Sequence, residues 1–200
     1  MPGVFIFMVL KSVKKKRAIV FVDGNNWYHN LKATIGKPRI IELKKLSQMI
    51  GEHFDLDIVG IKYYNSVPDI GLGDIVYYKH MVFLDRLKKQ GIKVQTRKLK
   101  KIKENDKIIR IEKGVDVMIA VDMVSSALVE DKCDSCILIS GDADFVPVMQ
   151  LIKKAGKEVI SVSVMKGYAR EMLQGDFRFW MLKKLDLEKC MIGSSYGKKN

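Results

Sequence analysis

Two continuous apolar runs of strand length, each leading to an aspartate, constrain the fold of this chain most. The first spans residues 18–22 and ends at Asp23, and the second spans residues 136–139 and leads through Ser140 to Asp142. A strand that is apolar at every position is typical of a parallel sheet buried on both faces. Ligands of open α/β sheets bind just beyond the carboxyl ends of such strands. The two runs therefore predict a parallel sheet with carboxylates gathered at one edge.

Strand and helix patterns alternate along the rest of the chain. Apolar residues recur at helical spacing in residues 25–35, 42–54, 74–90, 115–129 and 145–155. Further strand-like runs lie at residues 56–65, 92–99 and 158–164, and two short elements follow at 169–173 and 177–182. Such alternation implies right-handed parallel crossovers. We therefore expect an α/β fold, a three-layer α/β/α sandwich with a mainly parallel central sheet.

The length of the chain fits one domain with short tails. Two hundred residues lie at the upper end of the usual size of a single domain. The regular patterning begins near residue 17 and fades near residue 187. We therefore predict a basic N-terminal tail at residues 1–16, one domain at 17–187, and a C-terminal tail at 188–200.

The apolar start of the chain does not have the pattern of a membrane or secretory segment. No apolar run approaches the roughly 20 residues that a membrane-spanning helix needs. The positive charges at residues 11–17 follow the first apolar residues, whereas a secretory signal places its charges first. We therefore expect a cytoplasmic protein without a membrane partner.

The spacing of the cysteines favours a role in core packing over redox chemistry or zinc binding. Cys133 and Cys136 form a C-x-x-C pattern, but neither a second such pair nor histidines at zinc-ligand spacing accompany it. We interpret both as apolar residues before a buried strand, with a redox pair or half a zinc site as the alternative.

A third carboxylate joins the two at the strand ends. Asp116 lies in the first turn of the helix that begins near residue 115, whereas Asp122 is about 240° further around that helix and ranks second. A cluster of carboxylates with few histidines or thiols favours Mg²⁺ or Mn²⁺. Asn26 and Ser140 are placed to orient a carboxylate or a phosphate, and Lys113 to neutralise a phosphate.

Each acidic residue also has a purely structural interpretation. Asp144 precedes a helix as an N-cap would, Asp116 complements a helix dipole, and an asparagine caps the first helix. Capping does not account for Asp23 at the end of a fully apolar strand, nor for Asp142 and Asp144 together. We therefore favour a functional cluster.

The positive charge of the chain is concentrated in one segment. The net charge is +13, and residues 86–113 contain twelve basic and three acidic residues. Such a surplus favours a polyanion, bound in a salt-sensitive way, with a solvated hairpin as the alternative. Within the segment, residues 107–111 are expected to pair with the strand at 92–99 around a polar turn at 103–106. The candidate contacts to nucleic acid are Arg97, Lys98, Lys100 and Lys101.

Three motifs in this order resemble the NYN domain, a branch of the PIN-like nuclease superfamily that includes LabA-like proteins. They are Val-Asp-Gly-Asn-Asn at residues 22–26, Lys-Gly-Val-Asp at 113–116 with Asp122 beyond, and Ser-Gly-Asp-Ala-Asp-Phe at 140–145. The resemblance covers residues 17–182. It implies a PIN-like fold, an acidic Mg²⁺ or Mn²⁺ site, and RNA hydrolysis that leaves a 5′-phosphate.

The resemblance also assigns roles to single residues. It implies a metal-binding core of Asp23, Asp116 and Asp142, supported by Asp144 and Asn26. PIN-like relatives often dimerise, which leaves a homodimer open.

The leading hypothesis is a metal-dependent ribonuclease that favours single-stranded RNA. The first alternative is an RNA-binding or regulatory module with a vestigial site. A haloacid-dehalogenase-like phosphatase is the second, but that chemistry needs a carboxylate two residues after the nucleophile, where Asn25 stands.

Overall fold

The computed structural model describes residues 14–36, 41–67, 74–104, 107–111 and 113–193. This part of the chain contains eight strands: β1 (Lys16–Asp23), β2 (Leu56–Val67), β3 (Lys93–Lys98), β4 (Lys100–Glu104), β5 (Lys107–Ile111), β6 (Ser135–Ile139), β7 (Glu158–Val164) and β8 (Arg178–Leu182). It also contains seven α-helices: α1 (Gly24–Ile35), α2 (Leu43–Phe54), α3 (Asp74–Lys89), α4 (Val115–Val124), α5 (Val146–Lys154), α6 (Arg170–Gln174) and α7 (Lys184–Lys189). A π-helical turn (Ser125–Val129) extends α4, and a 3₁₀ turn (Ala143–Phe145) precedes α5. None of the described helices combines the length and the apolar character that crossing a bilayer requires.

Six strands form one parallel sheet in the order β3-β2-β1-β6-β7-β8. The next strands in sequence, β2 and β3, lie on one side of β1, whereas β6, β7 and β8 lie on its other side. The strand order therefore reverses between β1 and β6, and such a switch point is where open α/β sheets bind ligands. The predicted α/β fold with a parallel sheet is confirmed.

Both faces of the sheet are covered by helices, which explains why its central strands are apolar throughout. In β1, Ala18, Val20 and Val22 enter a first core with α1, α2, α3 and α7, whereas Ile19 and Phe21 enter a second core with α4, α5 and α6. Each of the larger of these side chains, valine, isoleucine or phenylalanine, contributes about 1.5–3 kcal/mol when it is fully buried. The three layers that the sequence predicts are therefore present.

The two cysteines of the C-x-x-C pattern lie in the second core. Cys133 and Cys136 are fully buried, and their sulfur atoms are 3.8 Å apart without a disulfide bond. Their position agrees with the interpretation as apolar packing residues.

The pairing predicted for residues 107–111 is wrong. In the structure β5 pairs antiparallel with β4, and the two form a separate two-stranded sheet. The partner of β3 is β2, which runs parallel to it. A short connection favours antiparallel pairing of the two segments that flank it, so β5 pairs with the segment that immediately precedes the turn.

Packing continues beyond the domain boundary that the sequence predicts at residue 187. Cys190 is fully buried, and its carbonyl oxygen accepts a hydrogen bond from the backbone N–H of Glu42 at 2.8 Å. Met191 forms an isolated antiparallel bridge with Ile41. The chain after α7 therefore closes one side of the first core. Of the tails predicted at the two ends, residues 1–13 and 194–200 lie outside the described residues.

An ion pair between Arg17 and Asp134 fastens the start of β1 to the turn before β6. The guanidinium Nη2 is 2.9 Å from Asp134 Oδ1, and Nε and the backbone N of Arg17 donate to Oδ2 at 3.1 and 3.0 Å. These hydrogen bonds hold the pKa of the Asp134 carboxyl at about 2.

The Arg17–Asp134 pair predicts an acid-dependent part of the stability. Because the folded pKa lies below the ordinary value of about 3.9, the pair stabilises the fold above about pH 4, and this contribution is lost as the pH falls toward 2. We expect Asp134→Asn to flatten the dependence of unfolding free energy on pH in that window, as measured by urea denaturation. Exposed Asp85→Asn serves as the control, and equal slopes in wild type and Asp134→Asn would contradict the prediction.

Candidate active site

Asp23 is both the last residue of β1 and the N-cap of α1. Its side chain is almost fully buried, and Oδ1 accepts a hydrogen bond from the backbone N–H of Asn26 at 3.1 Å. The expectation that capping would not account for Asp23 is therefore wrong. The N-terminal end of a helix stabilises negative charge, so the cap also holds this carboxylate where a charged group is favourable.

Ser140 connects the carboxyl ends of the two central strands. It follows β6 directly and is buried, and its Oγ donates to Asp23 Oδ2 at 3.1 Å. The same oxygen accepts a hydrogen bond from the backbone N–H of Asp142 at 3.3 Å. One hydroxyl at the switch point therefore contacts both the Asp23 carboxylate and the Asp142 backbone, and the role of Ser140 in the site remains a prediction.

Asp142, and not Asp144, performs the capping at the end of β6. Asp142 Oδ1 accepts from the backbone N–H of Asp144 at 3.0 Å and so caps the 3₁₀ turn before α5. The N-cap of α5 itself is Phe145, which makes no capping hydrogen bond with its side chain. The structure therefore does not support the alternative in which Asp144 is a helix cap, and it leaves the Asp144 side chain exposed at the same edge.

A network of amides and close backbone contacts fixes the loops around these carboxylates. Asn26 Oδ1 accepts from the backbone N–H of Gly141 at 3.0 Å and from Asn30 Nδ2 at 2.8 Å. A Cβ atom on Gly141 would lie 2.3 Å from the carbonyl oxygen of Gly167, and one on Gly167 would lie 2.0 Å from Asn30 Oδ1. Only glycine fits at both positions, so three segments are held at fixed separations.

Sequence reasoning missed Asn30 and Gly167. The signal for Asn30 was its spacing of four residues from Asn26, which places both amides on one helix face. Nothing in the local sequence marks Gly167, because its neighbour Gly141 comes from a distant loop.

Asp116 lies on α4, which packs on the opposite face of the sheet from α1. It lies in the first turn of α4, which follows Gly114 in the left-handed conformation at φ 82°, and its side chain is partly buried. The structure thus places it in the first helical turn, as the sequence predicts. Its role as a metal ligand remains a prediction.

The acidic residues at this edge offer few ligands for the metal that the sequence predicts. Within the described ranges, no group of three or more His, Cys, Asp or Glu side chains is arranged to hold a metal ion. Mg²⁺, however, keeps several waters and usually takes only one or two protein carboxylates together with phosphate oxygens. Asp23 and Asp142 fit that mode of binding, and they do not fit an all-protein cage.

Asp122 makes four hydrogen bonds with side chains of β2, β3 and the turn that extends α4. Its oxygens accept from Lys62 Nζ at 2.6 Å, Gln95 Nε2 at 2.8 Å, Ser126 Oγ at 3.3 Å and the Tyr64 hydroxyl. Burial alone would raise the pKa of the Asp122 carboxyl, but the hydrogen bonds from Lys62 and Tyr64 outweigh it and lower that pKa. Asp122 therefore anchors α4 to β2 and β3.

Part of the predicted basic surface forms a depression beside α4. Arg97, Lys98 and Lys113 line it, and its volume is about 700 Å³. The Arg97 guanidinium carbon would lie 3.8 Å from a Cβ on Gly114, two residues before Asp116. Lys100 and Lys101 begin β4, and their side chains lie outside the described part of the structure. Three of the predicted cations therefore lie near the start of the helix that carries Asp116.

The fold and the acidic edge define a PIN-like α/β protein, with aspartates at the switch point of a parallel sheet and a basic depression nearby. The NYN domain family matches residues 17–179, and the chain belongs to that family. NYN domains are a PIN-like nuclease family, and such nucleases generally depend on a divalent metal.

Two known proteins are similar to the chain over most of its length. The "Low amplitude and bright protein LabA" of Synechococcus elongatus is 25% identical over 177 residues, which cover 84% of each chain. A crystal structure of a Vibrio parahaemolyticus protein of unknown function has a TM-score of 0.66 and 20% identity, and covers 86% of this chain and 96% of its own. The second likeness supports the fold alone.

Proposed function

We propose that this protein is a metal-dependent ribonuclease. The observation that carries the proposal is that Ser140, at the switch point of the sheet, donates to the Asp23 carboxylate and accepts from the backbone N–H of Asp142. Membership in a nuclease family supports the same reaction class.

The proposed chemistry is hydrolysis of a phosphodiester bond by water. Asp23 and Asp142 would hold a divalent cation, which when bound polarises the phosphate, activates water and stabilises the leaving oxygen. Ser140 and the Asn26 backbone N–H fix both oxygens of Asp23, so this carboxylate is already oriented before substrate binds. Asp144 is a further carboxylate at this edge, and Asp116 lies in the first turn of α4. The product would carry a 5′-phosphate.

The basic depression supports a nucleic-acid substrate. Arg97, Lys98 and Lys113 offer a cationic surface close to the start of α4, where phosphates of a bound strand would be held. The contacts would be mostly independent of sequence and sensitive to salt. We favour single-stranded RNA as the substrate.

A cleavage assay with chelation tests the proposal. Purified protein is incubated with end-labelled single-stranded RNA and with DNA of the same sequence, in Mn²⁺, in Mg²⁺ and in EDTA. We expect RNA to be cut to products with 5′-phosphates in either metal, and to remain intact in EDTA. RNA that stays intact under every metal condition would contradict the proposal.

An RNA-binding or regulatory module is the second candidate. It is favoured by one observation, namely that the described residues contain no cluster of three metal-ligating side chains. This candidate predicts RNA binding that chelator leaves unchanged and no turnover in any metal, so the same assay distinguishes it.

We expect the salt dependence of RNA binding to show that residues of the basic depression contact phosphates. Lys113→Gln removes one phosphate contact, so the slope of log Kd against log salt should fall by about 0.7 for a single strand. Lys154→Gln, an exposed lysine at the far end of α5, is the matched control and should leave the slope unchanged. Binding is measured by fluorescence anisotropy in EDTA. Equal slopes for Lys113→Gln and Lys154→Gln would show that Lys113 does not contact the RNA.

A further inference from the structure

A cavity of about 630 Å³ lies between α1, α3, the start of α2 and the carboxyl end of β2. This volume falls within the range of about 300–1,000 Å³ that is typical of small-molecule sites. Gly24 lines the cavity and directly follows Asp23, so one peptide unit separates the cavity wall from the proposed active-site carboxylate.

The wall next to Asp23 depends on a close contact that only glycine permits. A Cβ on Gly24 would lie 2.3 Å from Tyr63 Cζ and 2.6 Å from the carbonyl oxygen of Tyr64. The Tyr63 ring therefore packs directly on the backbone at the start of α1. Asp23 at the carboxylate edge of the sheet and Gly24 at the aromatic wall of the cavity are therefore consecutive residues.

Aromatic rings make up much of the lining. Tyr63 and Phe83 pack edge to face with centroids 5.8 Å apart, and Tyr28 and His29 do so at 5.5 Å. Trp27 is buried, whereas Tyr28 is 47% exposed. The Tyr28 ring is therefore accessible to a ligand from the solvent side. Such rings are the surfaces on which the bases of single-stranded nucleic acid stack.

Asn65 and His80 are two of the polar side chains in the cavity lining. Asn65 is buried, and its Nδ2 donates to the Tyr63 hydroxyl at 3.1 Å. His80 lines the same cavity, and its Nε2 is buried without a hydrogen-bond partner in the described part of the chain. An unpaired buried nitrogen is costly, and a ligand with donors and acceptors on its edge would satisfy it.

We propose that this cavity binds one unpaired nucleobase of the RNA strand. Planar rings and a few hydrogen-bonding groups match the flat faces and the polar edge of a base. Lys79 at the cavity lining adds positive charge for the attached phosphate. The inference rests on the proposed function for the identity of the strand, and it makes the cavity the site that selects single-stranded over paired RNA.

The test uses Trp27 as a reporter of the cavity. The chain has two tryptophans, so Trp180→Phe leaves Trp27 as the single one. We expect its fluorescence to change saturably when AMP, GMP, CMP or UMP is added in EDTA. Tyr28→Ala in this background should weaken binding about 5- to 150-fold, the range of one base–aromatic stack, whereas Tyr28→Phe should retain it.

A comparison of single-stranded and duplex RNA separates base insertion from phosphate binding. A single-stranded hexanucleotide should change the Trp27 signal as the mononucleotides do, and the same sequence in a duplex should not. Equal signals from both forms, or no response to any nucleotide, would overturn the inference. A response to an apolar dye without one to nucleotides would overturn it too.

The outcome is distinguishable from failure of the proposed function. Binding is measured in EDTA and again in the Asp23→Asn variant, where no cleavage is expected. Nucleotide binding without cleavage by the wild type would overturn only the nuclease, and cleavage without nucleotide binding would overturn only the base site.

Discussion

Asp23→Asn is expected to reduce metal-dependent RNA cleavage at least about 100-fold. Even the partners that orient metal ligands are commonly worth about 10–100-fold, so loss of a ligand carboxylate should cost no less. Asparagine can still accept the hydrogen bond from the Asn26 backbone N–H, which preserves the cap of α1. The measurement is the single-turnover cleavage rate of labelled single-stranded RNA in saturating Mn²⁺.

Two further variants make the Asp23 result specific. Asp142→Asn should lose activity to a similar extent, because we propose that its carboxylate holds the same cation as that of Asp23. Asp57→Asn, near the amino end of β2 and exposed, is the matched control and should retain full activity. Cleavage by Asp23→Asn at the wild-type rate would place the reaction elsewhere.

Asp122→Ala is expected to destabilise the fold by about 3–5 kcal/mol, the usual cost of removing one partner from a buried ion pair. The Lys62 and Asp122 side chains are only 10% and 16% exposed, and their charged atoms are 2.6 Å apart. Without Asp122, the Lys62 ammonium keeps only Ser126 as a hydrogen-bond partner among the contacts described. Urea denaturation followed by circular dichroism at pH 7 measures the loss.

A double substitution distinguishes the buried charge from lost packing. Lys62→Met combined with Asp122→Ala removes both charges, so the double variant should be more stable than Asp122→Ala alone. Asp85→Ala, which removes the partner of Lys88 in an exposed pair on α3, should change stability by less than about 1 kcal/mol. Similar losses for Asp122→Ala and Asp85→Ala would contradict the role of Asp122 as an anchor.

The sheet and its acidic edge were predictable because they follow from short-range pattern. Apolar runs at residues 18–22 and 136–139 identified the two central strands, and the polar residues after them had to lie at the same edge. Ser140 was a candidate for the same reason, since it directly follows an apolar strand, but its contact with Asp23 depends on the pairing of β6 with β1.

The remaining features depend on contacts between distant segments. Asp122 was grouped with the site by its proximity in sequence to Asp116, but its partners Lys62 and Gln95 come from other strands. The capping role of Asp23 was missed because α1 begins without a connecting loop, so one residue ends the strand and caps the helix. Local patterns do not reveal which segments will meet.

The separation of β1 and β6 along the chain has a consequence for biosynthesis. Asp23 and Ser140 are 117 residues apart, yet they meet in adjacent strands. A contact over such a distance carries a loop-closure cost that nearby pairing does not, so it forms late. During synthesis β1 and β2 can pair while the ribosome is still far from β6. A nascent chain therefore has no complete acidic edge, and the finished site appears only when the second half of the protein has emerged.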